Sequence, residues 1–258
     1  MVELIDLSGY VESGQPVYPG WQETEIFTAT THEEFGYMGS RAVEEETASI
    51  KRHLKAQRSG DNEKTPLVRN ILISEHGPTH VDALSHLDPT NDDTIDEMPL
   101  ERFYGPAICV DVSHVSHEEF IEREDIEDEL ETHSLEIEDG DHILLYTGHR
   151  EENYAVDDEE KKYAYLYEYT GLSEKAAYWL GEQGVSNIGI DAPSIDRADA
   201  VESKEWPAHD MCAEYEVLNM ENMANLDEVV GERFTLNAIP LKLREGTGSP
   251  IRPVAILE

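Results

Sequence analysis

The chain has 258 residues, 39% of them apolar, so it can bury a core, and an intrinsically disordered protein is excluded. Its 57 acidic and 19 basic residues give a net charge of −38, which argues against nucleic acid or an anionic membrane as a partner. Because salt screens the self-repulsion of so acidic a chain, the composition predicts a halophilic, cytoplasmic protein. We expect neither a signal peptide nor a transmembrane span. Two cysteines, Cys109 and Cys212, cannot form a disulfide framework and are expected to be buried fillers.

Short apolar segments predict the strands of an α/β fold. In chain order they are residues 4–7, 71–74, 107–112, 143–146, 187–190, 234–239 and 253–257. We expect the strand at 71–74 to be buried. We predict a single domain over residues 1–258, because no internal repeat and no linker rich in Pro, Gly or Ser divides the chain.

Two helices have recognisable starts in the sequence. Ser116, with Glu119 three residues later, forms a possible capping box, followed by apolar residues at helical spacing. Ser173 is placed to cap a helix over 174–183, which Gly184 would end. The order strand, helix, strand from 143 to 190 predicts an α/β unit.

An insertion at about residues 36–70 holds much of the scarce positive charge. Its basic residues include Arg41, Lys51, Arg52, Lys55, Arg58, Lys64 and Arg69. Three interpretations stay open: a mobile flap, a contact between subunits, or a solvated surface segment.

The segment His76-Gly-Pro-Thr-His80-Val-Asp82-Ala-Leu-Ser-His86 is the most informative part of the sequence. Three imidazoles and a carboxylate within eleven residues suit zinc, manganese or iron. We expect His76 at the end of a strand, with His80 and Asp82 beyond a turn. If 81–87 is helical, Asp82 and His86 share one face. A single histidine beside a strand is usually structural, but this spacing favours a metal site.

Other histidines lie among acidic residues or at the ends of elements and are expected on the surface. These are His114, His117, His133, His142 and His149, of which His149 is kept as a possible pocket residue. The sequence has no Gly-rich phosphate loop and no Gly-x-Ser-x-Gly, so a serine hydrolase is unsupported.

The histidine segment resembles the signature of the metal-dependent cyclase family, which includes bacterial kynurenine formamidase and isatin hydrolase. That signature reads His, usually Thr-Gly-Thr, then His-x-Asp-x-x-x-His. Here Pro78 replaces the usual glycine and Leu84 a frequent proline, departures that affect loop shape more than ligand identity. Further segments match in order: residues 5–8, 17–20, 146–148, 189–196, His209 with Glu221 twelve later, 240–243 and 248–256.

The resemblance implies a swivelling β/β/α fold and a homodimer or homotetramer with pockets near the subunit contacts. It implies five metal ligands: His76, His80, Asp82, His209 and Glu221. It also implies that His86 acts as acid and base, and that Tyr18 lines the substrate pocket.

Three histidines and two carboxylates are more than one tetrahedral zinc needs, and Asp82 and Glu221 could bridge two metals about 3.5–4 Å apart. We therefore expect one or two divalent ions, Zn²⁺ or Mn²⁺. A metal lowers the pKa of bound water from 15.7 to about 7 and so supplies hydroxide to attack an amide carbonyl. His86, with an ordinary pKa near 6.5, suits proton transfer to the leaving nitrogen.

The sequence therefore predicts a metal-dependent hydrolase of a small-molecule amide, with an aryl formamide such as N-formylkynurenine as the leading substrate. A cyclic amide of the isatin type, or a lactone, is the alternative. The family's formamidases are generally shorter than this chain, and the 36–70 insertion weakens that assignment. A protein of another class, a non-catalytic metal- or ligand-binding protein, has no need of the His86 proton shuttle.

Overall fold

The computed structural model describes residues 2–18, 20–31, 67–88 and 90–257. Most of the predicted insertion, with its basic residues 41–64, lies outside the described residues. The described strands are β1 Glu3–Asp6, β2 Glu25–Thr30, β3 Val68–Leu72, β4 His80–Asp82, β5 Tyr104–Asp111, β6 His142–Tyr146, β7 Asn187–Ile190, β8 Leu218–Glu221, β9 Arg233–Asn237, β10 Gly248–Pro250 and β11 Val254–Leu257.

Nine of these strands form one mixed sheet in the order β1-β11-β9-β5-β6-β7-β8-β4-β10. Strands β5 to β8 run parallel at the centre, and antiparallel strands extend the sheet on both sides. Strands β2 and β3 form a separate antiparallel pair. The mixed α/β class predicted from the sequence is thus confirmed, whereas the single-domain assignment stays a prediction.

Successive side chains of the central strands point to opposite faces of the sheet, so each strand contributes residues to two hydrophobic cores, one on each face. In β6, Ile143 and Leu145 belong to one core, and Leu144 between them belongs to the other. In β5, Ile108 and Cys109 divide in the same way. Both cysteines are buried and free, as expected.

Helices cover the first of these cores. The described helices are α1 Leu84–Leu87, α2 Arg123–His133, α3 His149–Asn153, α4 Glu159–Tyr167, α5 Glu174–Glu182, α6 Ala200–Ser203 and α7 Pro207–Tyr215. The Ser173 hydroxyl accepts from the Ala176 amide and Gly184 adopts a positive φ, so the predicted start and end of α5 are confirmed. No helix in the described ranges is long and apolar enough to cross a membrane.

The start predicted for α2 is wrong by several residues. Ser116 does bond Glu119, but only within a turn. The helix begins at Arg123, where Glu122 and Asp125 form the capping box instead. The helix dipole favours acidic side chains in the first turn, and Glu124 and Asp125 supply them at the observed start.

The prediction of a buried strand at 71–74 is also wrong. Strand β3 is Val68–Leu72, each of its residues is exposed, and among the described strands it pairs with β2 alone. His76 therefore lies in a turn beyond the strand, not at its end. His80 and Asp82 lie on strand β4, held between β8 and β10, so a helix over 81–87 is wrong and α1 begins only at Leu84.

Candidate metal centre

Strand pairing places the polar side chains of two neighbouring strands at one point. His80 on β4 lies directly opposite Glu221 at the end of β8. Asp82 is two residues beyond His80 and therefore projects to the same face of the strand. The turn before β4 supplies His76, and α7 supplies His209. Segments more than a hundred residues apart thus meet at one edge of the sheet.

Each of the five side chains expected to bind metal lies within 4.0 Å of at least one other member of the set. Asp82 is central: its Oδ1 is 2.7 Å from Nδ1 of His76 and 3.2 Å from Nε2 of His80. Its Oδ2 is 4.0 Å from Nε2 of His209. Glu221 closes the group, with carboxylate oxygens 3.6 Å from His80 Nε2 and 3.7 Å from His209 Nε2.

The donor set fits a divalent cation. Two groups among the described residues have the ligand spacing of a metal site, His76-His80-Asp82 and Asp82-His209-Glu221, and they share Asp82. Nε2 of His80 is buried and has no hydrogen-bond partner among the described residues. A buried polar atom without a partner is costly, and a cation between these side chains would remove that cost.

The carboxylates and imidazoles of this group shift one another's pKa values. Burial alone would raise the pKa of Asp82, but the adjacent imidazoles of His76 and His80 hold it well below its usual range. Burial and the nearby Asp82 charge raise the pKa of Glu221. Burial opposes a charge on His209, yet its contact with Asp196 raises that pKa to about 9. Negative charge therefore gathers on Asp82, where a cation would stabilise it.

Three of the five candidate ligands are oriented by a further contact outside the cluster. Asp196 Oδ2 lies 2.5 Å from Nδ1 of His209, which leaves Nε2 facing the cluster. The Pro78 carbonyl lies 2.8 Å from Nδ1 of His80 and orients that ring in the same way. Amide groups of Asn219 and Ile195 donate to Glu221 Oε1. Such contacts fix the ring orientation and basicity of metal-binding histidines.

His86 occupies a different position from the candidate ligands. Its ring stacks on His76 at 4.1 Å, and its Nε2 is 3.9 Å from Asp82 Oδ2. It belongs to neither of the two metal-spaced groups of described residues. Its side chain is 30% exposed, against 1% for His80, so a substrate can reach it. Burial lowers its pKa, which favours the neutral imidazole near pH 7.

A cleft of about 340 Å³ opens beside the cluster. Tyr18 lines it, as the resemblance implied, together with His86, His209 and Glu221. The other lining residues, which no motif in the sequence indicated, are Trp21, Pro193, Ser194, Trp206 and Asp210. The Trp21 ring packs at a tilted angle against Tyr18, with 5.1 Å between ring centres, and against His76, with 5.2 Å. Its position three residues after Tyr18 was the one signal that could have identified it.

The other five histidines in the described ranges do not line the cleft. His114 and His117 are exposed and His133 is partly exposed, as predicted. The surface prediction is wrong for His142, which is 1% exposed and bonds the Asn187 amide. His149 is also buried, bonded to the Tyr165 carbonyl at 3.0 Å, and it does not line the cleft.

Comparison with known proteins finds a matching family model and several proteins of similar sequence. The family model described as putative cyclase matches residues 5–197. A kynurenine formamidase of Bacillus mycoides is 30% identical over 197 residues, 76% of this chain and 83% of that protein. A kynurenine formamidase of Salinibacter ruber is 28% identical over 251 residues, 97% of this chain and 96% of that protein. The length of this chain is thus no argument against a formamidase.

Solved structures share the fold. An isatin hydrolase bound to the product analogue thioisatinate has a TM-score of 0.78 at 20% identity, covering 99% of this chain and 92% of its own. Isatin hydrolase A of Labrenzia aggregata, bound to benzyl benzoate, has a TM-score of 0.76 at 22% identity, covering 99% and 94%. At these identities the likeness establishes the architecture that brings the two strands and the helix together.

Proposed function

This chain belongs to the putative cyclase family, and from that premise we propose that it is a metal-dependent hydrolase of amide C–N bonds, with aryl formamides as its leading substrates. The observation that carries the proposal is the buried cluster around Asp82, with an unpartnered His80 nitrogen and an accessible His86 at its edge. The formamidase names of the relatives support the substrate class.

We propose that His76, His80, Asp82, His209 and Glu221 hold the metal. A divalent cation there supplies Lewis acidity, which ionises water near neutral pH and polarises a carbonyl. The chain offers enough donors for one ion or for two sharing Asp82, as Zn²⁺ or Mn²⁺. Asp196 would act as a positioning residue, since its carboxylate fixes the orientation of the His209 ring.

His86 would move the proton that an amide leaving group needs. Its lowered pKa leaves the imidazole neutral, ready to take a proton from water and pass it to the departing nitrogen. Asp82 Oδ2 at 3.9 Å would stabilise the imidazolium formed between the two transfers.

The cleft wall supports an aryl group on the substrate. Tyr18, Trp21 and Trp206 present aromatic rings beside His86, and such rings favour stacked or edge-on contact with another ring. Tyr18 would thus contribute to binding the aryl group of the substrate.

A defined substrate pair tests this proposal. Metal-loaded protein should release formate from an aryl formamide, and chelation should abolish the reaction until zinc or manganese is restored. A protein with a filled metal site that hydrolyses neither this substrate nor isatin would contradict it and favour the binding-protein alternative.

The cyclic-amide alternative rests on the isatin hydrolase fold and the same aromatic cleft. Ring opening of isatin releases no formate, so the two substrates give separate readouts. Faster turnover of isatin than of the formamide would replace the leading substrate with this alternative. A lactone assayed beside these two substrates tests the remaining alternative, a lactone hydrolase.

Other predictions complete the proposal. We propose a cytoplasmic, halophilic enzyme with the swivelling β/β/α architecture, assembled as a homodimer or homotetramer. The charge of −38 supports the halophilic part, and an unfolding midpoint that rises between dilute buffer and molar salt would be its signature. An unchanged midpoint would contradict it.

A further inference from the structure

A second cavity, of about 640 Å³, is lined by none of the residues that line the metal cleft. Its walls come from the first strand and the loop after it, from α3, and from loops near residues 224 and 252. Arg150 on α3 is the charged residue of interest, because its side chain lines this cavity although the residue is only 9% exposed.

Arg150 has neutral partners. Its Nη1 donates to the Tyr165 hydroxyl at 3.0 Å and to the Asn222 carbonyl at 3.4 Å, and its guanidinium lies 4.0 Å from the centre of the Tyr154 ring. Within the described ranges no carboxylate lies within 4.0 Å of it. Glu12 approaches only through the Tyr154 hydroxyl, at 3.3 Å from that oxygen. In a chain with three acids per base, this buried cation is paired with no acid of the described part.

The second arginine that lines this cavity, Arg252, differs from Arg150 because it is paired with an acid. Arg252 is 79% exposed and is already neutralised, with two nitrogens 2.7 and 2.9 Å from Asp6 Oδ2. Asp6 is therefore engaged and does not offset Arg150. A buried charge that lacks a counter-charge is costly, so an anion from solution would be stabilised at Arg150.

The backbone leaves room for the guanidinium. A Cβ on Gly9 would lie 2.0 Å from Nη2 of Arg150, so any larger residue would displace the side chain. Gly9 is fixed where it is, since its amide donates to Thr79 Oγ1 at 2.9 Å.

We propose that this cavity binds a monocarboxylate that carries an apolar group. The fork of an arginine matches a carboxylate bidentately, whereas a halide would leave most of the volume unused. Val11, Ala224, Ile251 and the Tyr154 ring form an apolar wall for the rest of the ligand.

Calorimetric titration with benzoate tests the proposal, with benzamide and acetate as matched probes. All titrations use the full chain at one fixed ionic strength, both metal-loaded and after chelation, because carboxylates also bind metals. Benzoate should bind both forms alike. Benzamide, which lacks the charge, and acetate, which lacks the ring, should each bind at least about tenfold more weakly.

Two variants of equal charge locate the site. Arg150→Gln should weaken benzoate binding at least about tenfold, and Arg252→Gln should change it less than about twofold, since Arg252 is already paired. Gly9→Ala keeps the charge and should weaken binding as Arg150→Gln does, which provides a second test if the latter fails to fold. Equal losses in both arginine variants, equal binding of benzamide, or no benzoate binding by the chelated wild type would overturn the proposal.

Discussion

Two buried carboxylates in this molecule, Asp82 in the metal cleft and Asp191 at the end of β7, are shifted in opposite directions. Asp82 is 1% exposed and Asp191 is 0% exposed, so burial does not separate them. Burial would raise both pKa values, but the adjacent imidazoles of His76 and His80 bring that of Asp82 well below its usual range. For Asp191 burial prevails and raises the pKa to about 7.

The difference lies in the partners. Asp191 Oδ1 accepts from the Thr147 amide at 2.9 Å and from its hydroxyl at 2.6 Å, and both donors are neutral. Its Oδ2 has no partner among the described residues. A buried carboxylate ionises more readily when imidazoles or a cation lie beside it, so Asp82 carries the charge that the proposed metal would bind, whereas Asp191 holds its proton below about pH 7.

Removing the charge of Asp82 should have the largest effect. Asp82→Ala takes away the residue common to both metal-spaced groups, so we expect metal to be lost and turnover to fall by more than the ~10²–10⁴-fold that loss of one proton-transfer group costs. Metal content and formate release measure the two effects. An Asp82→Ala protein that keeps its metal and its activity would contradict the metal-binding role that separates Asp82 from Asp191.

Removing His86 should separate proton transfer from metal binding. His86→Ala should keep its metal and lose about 10²–10⁴-fold in turnover. His133→Ala, a partly exposed histidine paired with Glu129, is the matched control and should match the wild type. Full activity in metal-replete His86→Ala protein would refute this division of roles.

Asp196 tests whether orientation of a ligand matters in the cleft. Asp196→Asn weakens the contact that aligns His209, and we expect a loss of about 10–100-fold in metal affinity or activity. Asp199→Asn, in the same loop but paired with Arg197 near the surface, is the control. A loss of the same size in both variants would indicate general damage to the loop.

Asp191→Asn should have the smallest effect of the four substitutions, and the property that it changes should be stability. The pKa of Asp191 is about 7 when folded and 3.8 when unperturbed, so between these values the folded state holds the proton more tightly and stability falls as pH rises. The amide oxygen of the introduced asparagine would accept the same bonds from Thr147 without titrating. We expect the free energy of unfolding of the variant, relative to wild type, to rise by about 1–3 kcal/mol from pH 5 to pH 8.

Denaturant unfolding at both pH values measures this change. A difference between variant and wild type that does not depend on pH would mean that Asp191 is ionised throughout, like Asp82.

The local part of the site could be predicted from the sequence, and the distant part only through resemblance. His76, His80, Asp82 and His86 stand in one segment, so their spacing alone indicated a shared site. Nothing local indicated that His209 and Glu221 would join them. That proximity depends on the pairing of β4 with β8 and the packing of α7.

The sequence predictions that the structure contradicts share one cause. Residues 71–74 are apolar enough to predict a buried strand, but β3, which pairs with β2 alone among the described strands, is exposed. Residues 80–82 are strand because β8 and β10 flank them, which a local pattern does not reveal. His142 directly follows Asp141 in the sequence and yet contacts Asn187 in the interior. In each case partners distant in sequence decided the outcome.

Anomalous diffraction from crystals grown with zinc or manganese, recorded above and below each metal edge, tests the central claim most directly. The account predicts one or two peaks within about 2.0–2.3 Å of donor atoms of His80 and Asp82, with His76, His209 and Glu221 completing the coordination. A fully occupied peak elsewhere in the molecule, or no peak among these five side chains, would contradict it.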